Sequence, residues 1–233
     1  MGSLLLAGGA EFGGRMAEVD QLALERAGGP AARLRVIPAA AAPDHNDVRA
    51  GRNAVRWFRS LGARDVAVVP LTDRASADDQ TVAAELARAR LVYLLGGFTH
   101  YLGQALAGSA SLAALRAAWA AGAVLAGSSA GAMVLCEHYY DPAEGQVRAG
   151  LGFVPRACVI PHHDTFGRSW APRLAPQLPE AVLIGVDEQT GMLDDGAGQT
   201  WRVAGRGEVR LYWRGGVERY AAGAVLELPP RRT

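Results

Sequence analysis

Short apolar runs alternate along this chain with longer segments in which apolar residues recur at helical spacing, and this alternation constrains the fold most. Runs that are apolar almost throughout are typical of strands whose two faces are both covered. The runs occupy residues 4–7, 34–38, 66–69, 91–95, 124–126, 158–160 and 182–186. Helices are predicted between them over residues 49–61, 76–88 and 111–121. This order predicts an α/β fold, a three-layer α/β/α sandwich around a mostly parallel sheet.

Local signals mark the ends of the predicted helices. Gly62 and Gly122 follow the first and the third helix, at the position where a glycine commonly ends a helix. The second helix opens with Ser76-Ala77-Asp78-Asp79, which resembles a capping box with Asp in place of Glu. We therefore expect one continuous helix that begins at Ser76.

The pattern changes beyond Met192, where short runs follow one another without a helix between them. These runs cover residues 200–204, 208–213, 216–220 and 225–228. Strand-length runs separated by glycines indicate antiparallel hairpins, so we expect a C-terminal antiparallel β extension. No linker, repeat or shift of composition divides the chain, and a single domain over residues 1–233 is expected.

Composition and charge exclude several classes of protein. Half of the 233 residues are hydrophobic and 20% are charged, which is typical of a globular protein and not of a disordered one. The net charge is +1, and the arginines are spread along the chain, so nothing indicates a nucleic acid or an acidic membrane as partner. The first apolar run is too short for a signal peptide or a membrane span. We expect a cytoplasmic protein.

Neither the two cysteines nor the known cofactor motifs indicate a reactive or ligand-binding site. Cys136 and Cys158 each lie in an apolar stretch, which predicts buried free thiols and no disulfide framework. The chain contains no Walker A motif and no HExxH motif, and no Cys/His spacing suits zinc. Neither a cofactor nor a metal is predicted.

The strongest chemical signal is Gly127-Ser128-Ser129-Ala130-Gly131, which directly follows an apolar strand and precedes a helix-forming run. A Gly-x-Ser-x-Gly sequence in that context indicates a nucleophile elbow, a sharp turn that projects the serine. Ser129 is therefore the candidate nucleophile, and the Ala130 N–H at the helix start would face an oxyanion. A plain turn between strand and helix is the alternative, and Ser128 is a weaker candidate nucleophile.

Candidate bases and orienting acids follow two other strands. His162 and His163 come directly after the run at 158–160, at a strand end where parallel sheets commonly carry catalytic groups. Asp187 and Glu188 follow the run at 182–186, and only one of the pair can face a given side. The residues alone leave both choices open. The weaker candidate bases lie in loops or near the far end of the elbow helix: His45, His100 and His138.

The order of these residues along the chain also discriminates between classes of serine hydrolase. An ordinary α/β-hydrolase carries its acid before a late histidine, whereas here serine, histidine and acid follow one another. A standard esterase or lipase is therefore disfavoured. The glycine pair Gly96-Gly97 ends another strand, and the Gly97 N–H is a candidate second oxyanion donor, with a tight turn as the alternative.

Together these motifs resemble the family of serine peptidases that contains dipeptidase E and cyanophycinase. The resemblance covers nearly the whole chain and runs through the segments Gly8-Gly9-Ala10-Glu11, Gly96-Gly97-Phe98-Thr99, the Ser129 elbow, Pro161-His162 and Gly185-Val186-Asp187-Glu188. It implies a class I glutamine amidotransferase-like sandwich. It also implies Ser129 as nucleophile, His162 as base, Glu188 as orienting acid with Asp187 in reserve, and Gly97 and Ala130 as oxyanion donors.

The sequence departs from the family pattern at the residues that recognise substrate. Phe98 stands where dipeptidase E-like sequences carry Asn, and Ile160-Pro161 stand where cyanophycinase-like sequences carry Asp-Gln. Phe98, with Tyr101 and Trp170, predicts a more apolar substrate pocket. Arg168 is the candidate partner of a substrate carboxylate.

We therefore expect a serine peptidase that hydrolyses small peptides through an acyl-enzyme, as an exopeptidase or dipeptidase. A non-catalytic small-molecule binding or regulatory protein on the same fold is the alternative, motivated by the altered recognition residues. A glutaminase shares the fold but needs Cys at the elbow. Self-association as a homo-oligomer is left open.

Overall fold

A computed structural model describes residues 1–196 and 200–229. The strands are β1 (Leu4–Ala7), β2 (Arg33–Ile37), β3 (Asp65–Val68), β4 (Leu91–Leu94), β5 (Val124–Ser128), β6 (Cys136–Asp141), β7 (Gln146–Ala149), β8 (Val154–Ile160), β9 (Val182–Val186), β10 (Thr190–Asp194), β11 (Thr200–Gly205), β12 (Glu208–Trp213), β13 (Gly216–Ala221) and β14 (Val225–Glu227). The helices are α1 (Met16–Arg26), α2 (Asp47–Ser60), α3 (Arg74–Ala77), α4 (Gln80–Ala87), α5 (Thr99–Leu106), α6 (Ala110–Ala120), α7 (Ala130–Leu135) and α8 (Ala171–Leu174).

The larger sheet has eight strands in the order β14-β11-β10-β1-β5-β4-β2-β3. The strands β1, β5, β4, β2 and β3 are parallel to one another, whereas β10, β11 and β14 are added antiparallel at the β1 edge. The predicted α/β fold, with a mostly parallel sheet and a C-terminal antiparallel extension, is confirmed.

A second sheet has six strands in the order β13-β12-β9-β8-β6-β7. Its centre is parallel, because β8 pairs in parallel with both β6 and β9. Two of the runs predicted for the main sheet, at 158–160 and 182–186, therefore belong to this second sheet. Alternation predicts which residues form strands, but it does not say which sheet each strand joins.

Side-chain alternation along β1 shows why its apolar run is continuous. Leu4 and Leu6 face the core formed with α4 to α7 and the second sheet, and Leu5 and Ala7 face the core formed with α1 and α2. Both faces of the larger sheet are thus covered, as expected for parallel strands. The single domain over residues 1–233 stays a prediction.

The segment predicted as one helix over residues 76–88 forms the two short helices α3 and α4. Asp73 caps α3, because its Oδ1 accepts from the Ser76 N–H at 2.8 Å while the Asp73 N–H donates to Ser76 Oγ at 3.0 Å. Asp79 then caps α4 by accepting from the Thr81 N–H at 2.7 Å. The expected start at Ser76 was wrong, since Ser76 is the N3 residue of a capping box whose N-cap is Asp73.

The elbow helix α7 is shorter than expected, and this changes the place of His138. The helix ends at Leu135, and β6 begins at Cys136, so His138 lies on a strand of the second sheet. Cys136 and Cys158 are both buried and free, as predicted. Burial raises the pKa of the Cys158 thiol to about 12, which leaves it a weak nucleophile near neutral pH. In the described part of the chain, no helix has the length and apolarity needed to span a bilayer.

Candidate active site

Ser129 lies on a strained turn between β5 and α7, with φ 49° and ψ −114°. The flanking glycines allow this turn to pack tightly. A Cβ on Gly127 would lie 2.4 Å from the Gly131 carbonyl carbon, and a Cβ on Gly131 would lie 2.2 Å from the Leu94 carbonyl oxygen. The Gly-x-Ser-x-Gly spacing therefore has a steric cause, and the turn directs the serine hydroxyl out of the sheet edge.

His162 and Glu188 meet Ser129 in one hydrogen-bonded chain. His162 Nε2 lies 3.0 Å from Ser129 Oγ, and His162 Nδ1 lies 2.8 Å from Glu188 Oε1. Ser129 comes from the end of β5 in the larger sheet, whereas His162 and Glu188 follow β8 and β9 in the second sheet. Phe166 stacks on the imidazole, with the ring centroids 4.8 Å apart and the planes 25° from parallel.

The loop that follows β1 forms the wall behind the imidazole. The Gly8 carbonyl accepts from the His162 N–H at 2.7 Å, and the Gly9 carbonyl accepts from the Gln189 N–H at 3.1 Å. Gly9 has φ +113°, and a Cβ at this position would lie 2.3 Å from His162 Cε1. The glycine pair thus brings a strand end of the larger sheet against both loops of the second sheet that carry His162 and Glu188.

The neighbouring pair His163 and Asp187 points away from Ser129 into a separate buried cluster. His163 Nδ1 accepts from Arg210 Nη1 at 2.8 Å, which leaves Nε2 to donate to Tyr212 Oη at 2.8 Å. Asp187 Oδ2 accepts from the Glu208 N–H at 3.0 Å. Burial works against the charge of Asp187, but His163, the Glu208 N–H and Arg210 outweigh it, and its pKa is lowered.

The two expected oxyanion donors lie beside the serine. Ala130 is the first residue of α7, so its N–H has no acceptor within the helix. In the described ranges 1–196 and 200–229, the Gly97 N–H makes no hydrogen bond, and Gly97 has φ +138° with the Ala40 carbonyl against its Cα. The preceding Gly96 N–H donates to Glu11 Oε1 at 3.2 Å.

Ser129 and His162 open onto a cleft of about 600 Å³. Helix α2 supplies three polar residues to its wall, namely Asn46, Arg49 and Asn53. These residues are not among those predicted from sequence, although their spacing of three, four and seven positions is the signal of one helix face. The predicted helix began at Arg49, and this left Asn46 outside it.

The residues expected to recognise substrate do not line this cleft. The Phe98 N–H donates to the Ala40 carbonyl at 2.8 Å, and the side chain, 44% exposed, lies outside the cleft at the start of α5. Arg168 is exposed on the 3-10 turn Gly167–Trp170, and the adjacent Phe166 enters the cleft instead.

The weaker candidate bases lie away from Ser129. His100 Nδ1 lies 2.8 Å from Tyr139 Oη, and His138 Nε2 lies 3.6 Å from Glu137 Oε1. Neither histidine lines the cleft, and the same is true of His45. Among the residues that the structure describes, no group of three or more His, Cys, Asp or Glu side chains could hold a metal ion.

Known proteins resemble this chain over most of its length. The sequence model of Peptidase family S51 matches residues 4–198. A cyanophycinase of Synechococcus elongatus is 31% identical over an alignment of 224 positions, and the alignment covers 90% of this chain and 67% of the relative. A cyanophycinase of Geminocystis herdmanii is 30% identical over an alignment of 201 positions, which covers 81% of this chain and 72% of the relative.

A solved structure extends the likeness to the fold. The crystal structure of a peptidase from an acI-B1 actinobacterium superposes with a TM-score of 0.79 at 28% identity, covering 98% of this chain and 97% of that one. The matched region includes the Ser129 elbow and the strand ends that carry His162 and Glu188. The chain belongs to peptidase family S51 and is a serine-type peptidase.

Proposed function

We propose that Ser129, His162 and Glu188 are the catalytic triad of a peptidase that hydrolyses small peptides as an exopeptidase or dipeptidase. The observation that carries this proposal is the hydrogen-bonded chain from Ser129 Oγ through the His162 imidazole to Glu188, with distances of 3.0 and 2.8 Å. A nucleophile, a base and a group that orients the base are the three parts that this chemistry requires.

The geometry supports a defined role for each member. Glu188 accepts the Nδ1 proton of His162, which leaves Nε2 as the acceptor for the Ser129 hydroxyl proton. As Ser129 Oγ attacks the peptide carbonyl, His162 takes that proton, and the Glu188 carboxylate stabilises the imidazolium that forms. His162 then returns the proton to the leaving amine, so the C–N bond breaks and an acyl-enzyme remains.

The second half of the reaction uses the same groups. His162 removes a proton from water, the hydroxide attacks the ester carbon, and the Ser129 oxygen leaves with the proton. In both halves, the free N–H groups of Gly97 and Ala130 would hold the oxyanion. Donors fixed by backbone geometry stabilise such charge without reorganisation during the reaction.

The proposed preference for small peptides is supported by the dimensions and lining of the cleft. A cleft of about 600 Å³ closed on one side by α2 and on another by Phe166 accommodates a few residues. The charged side chains Glu11 and Arg49 line it, and charges of this kind are suited to binding the charged ends of short peptides. A peptide is the substrate expected of the family. Self-association stays a prediction.

A mixed peptide library digested with wild type and Ser129→Ala, with products identified by mass spectrometry, tests the proposal. We expect cleavage near one chain end by wild type and none above background by Ser129→Ala. Ser128→Ala is the matched control, because the Ser128 side chain is fully buried and does not line the cleft, and it should cleave like wild type. Equal cleavage by wild type and Ser129→Ala would refute the proposed nucleophile, and cleavage only at internal bonds would refute the exopeptidase role.

A further inference from the structure

Asn46 occupies the N-cap position of α2, but its side chain does not cap the helix. Asparagine is favoured at this position because its oxygen can accept a free N–H of the first turn. Here the Asn46 Oδ1 instead accepts from Arg49 Nε at 2.7 Å. The usual capping interaction is thus replaced by one that orients the Arg49 guanidinium at the wall of the cleft.

The charge of Arg49 has no acidic partner in the described ranges 1–196 and 200–229. Arg35, Arg74 and Arg148 each form ion pairs with Asp or Glu side chains. For the Arg49 side chain the only hydrogen bond in those ranges is the one from Nε to a neutral amide oxygen. Its two terminal nitrogens remain available, and they form the edge that binds a carboxylate through two hydrogen bonds.

We infer that Arg49, held by Asn46, binds a carboxylate of the peptide substrate. This assignment rests on the peptidase function proposed above, because Arg49 lines the cleft that contains Ser129 and His162. It also gives Arg49 the role expected from sequence for Arg168, whose exposed side chain lies outside the cleft.

The position of Glu11 determines where in the cleft the carboxylate binds. A Cβ built on Gly96 would lie 2.6 Å from Glu11 Oε1 and 3.2 Å from Ser129 Cβ, so Glu11 lies close to the nucleophile. In the part of the chain that the structure describes, no cationic side chain forms an ion pair with Glu11. A substrate carboxylate beside Ser129 would be repelled by Glu11. The acidic group therefore lies toward α2, where Arg49 attracts it.

The test uses the best-cleaved library peptide, or trialanine if none is cleaved, in matched forms. One pair carries a C-terminal acid or a C-terminal amide, and the other pair carries Asp or Asn at one internal position. The kcat/KM of each form is measured for wild type, Arg49→Gln and Arg52→Gln. Arg52 is the control, because it is exposed on the same helix and does not line the cleft.

We expect Arg49→Gln to lower kcat/KM by about 10- to 100-fold, mainly through KM, for the form with the carboxylate that Arg49 binds. The neutral form of that pair should change little, and Arg52→Gln should match wild type on every peptide. The pair that responds identifies the source of the carboxylate, a chain end or an acidic side chain. An equal effect on acid and neutral forms, or no effect on either, would overturn the assignment.

A binding measurement separates this assignment from the proposed catalysis. Calorimetry with Ser129→Ala and with the double variant Ser129→Ala, Arg49→Gln follows affinity without turnover. One outcome is that wild type cleaves no peptide, while the double variant, unlike Ser129→Ala, loses affinity for the acid form. In that case the carboxylate site stands and the peptidase proposal fails. If peptides are cleaved and both variants bind acid and amide alike, the peptidase proposal stands and the carboxylate site fails.

Discussion

At the scale of single residues, the structure separates two histidines and two acids that are adjacent in sequence. His162 pairs with Glu188 at 2.8 Å, and His163 lies 3.6 Å from Asp187 in a buried cluster that includes Arg210. Sequence reasoning could predict that only one member of each pair faces Ser129, because side chains alternate. It could not decide which member does so. The choice depends on the φ of +49° at His162 and on its hydrogen bond to Gly8, which are properties of the packed loops.

This separation predicts opposite effects for two amide substitutions. Glu188→Gln should lower kcat by about a thousandfold, because His162 loses the charged acceptor that orients it and stabilises the imidazolium, and it should leave the melting temperature nearly unchanged. Asp187→Asn should retain kcat within a few-fold but reduce the free energy of unfolding by about 1–3 kcal/mol, since a buried charged acceptor is removed. Peptide kinetics and thermal unfolding of both variants check this. A loss of kcat in Asp187→Asn alone would show that the two acids have been assigned the wrong way round.

At the scale of secondary-structure elements, the strand–turn–helix context of the elbow was predictable and the face of α2 was not. The residue types around Ser129 give both the turn and its steric requirement for glycine. The spacing of Asn46, Arg49 and Asn53 indicates that they share one helix face, but the position of this face at the cleft depends on how α2 packs against the sheet through Ala54 and Phe58. The same packing places Trp57 of α2 over Asp20 of α1, where Asp20 Oδ2 accepts from Trp57 Nε1 at 2.7 Å.

The contact between α1 and α2 predicts a pH-dependent stability. Burial raises the pKa of Asp20 from 3.8 to about 7, an effect partly offset by the Trp57 hydrogen bond and increased by the charge of Glu11. The folded protein therefore holds a proton that the unfolded chain releases near pH 4. The contribution of Asp20 to stability falls as the pH rises from about 4 to about 7 and is constant above that, with a total change of up to about 4 kcal/mol.

Asp20→Asn should remove this dependence, because an amide accepts from Trp57 without ionising. Urea unfolding at pH 4.5 and pH 7.5 measures the free energy of unfolding of both proteins. We expect the free energy of unfolding of Asp20→Asn, measured relative to that of wild type, to be higher at pH 7.5 than at pH 4.5. A difference between variant and wild type that is the same at both pH values would contradict the raised pKa.

At the scale of the whole molecule, the site lies where the two sheets meet. Ser129 comes from the larger sheet, and His162 and Glu188 come from the second, so the alignment of the chain of hydrogen bonds depends on how the sheets pack. The loop after β1 joins the two, because Gly8 and Gly9 accept hydrogen bonds from His162 and Gln189. The prediction that these segments come together came from the family resemblance. Elementary patterns did not predict a second sheet, because a strand's partner is decided by tertiary packing.

Covalent labelling shows whether Ser129 is a nucleophile that His162 activates. Wild type and His162→Ala are treated with an alkyl fluorophosphonate, which phosphonylates activated serines, and the intact mass and the labelled peptide are determined by mass spectrometry. We expect one adduct on Ser129 in wild type and a much slower reaction in His162→Ala. Labelling of Ser128, or labelling of Ser129 at an equal rate in both proteins, would contradict it.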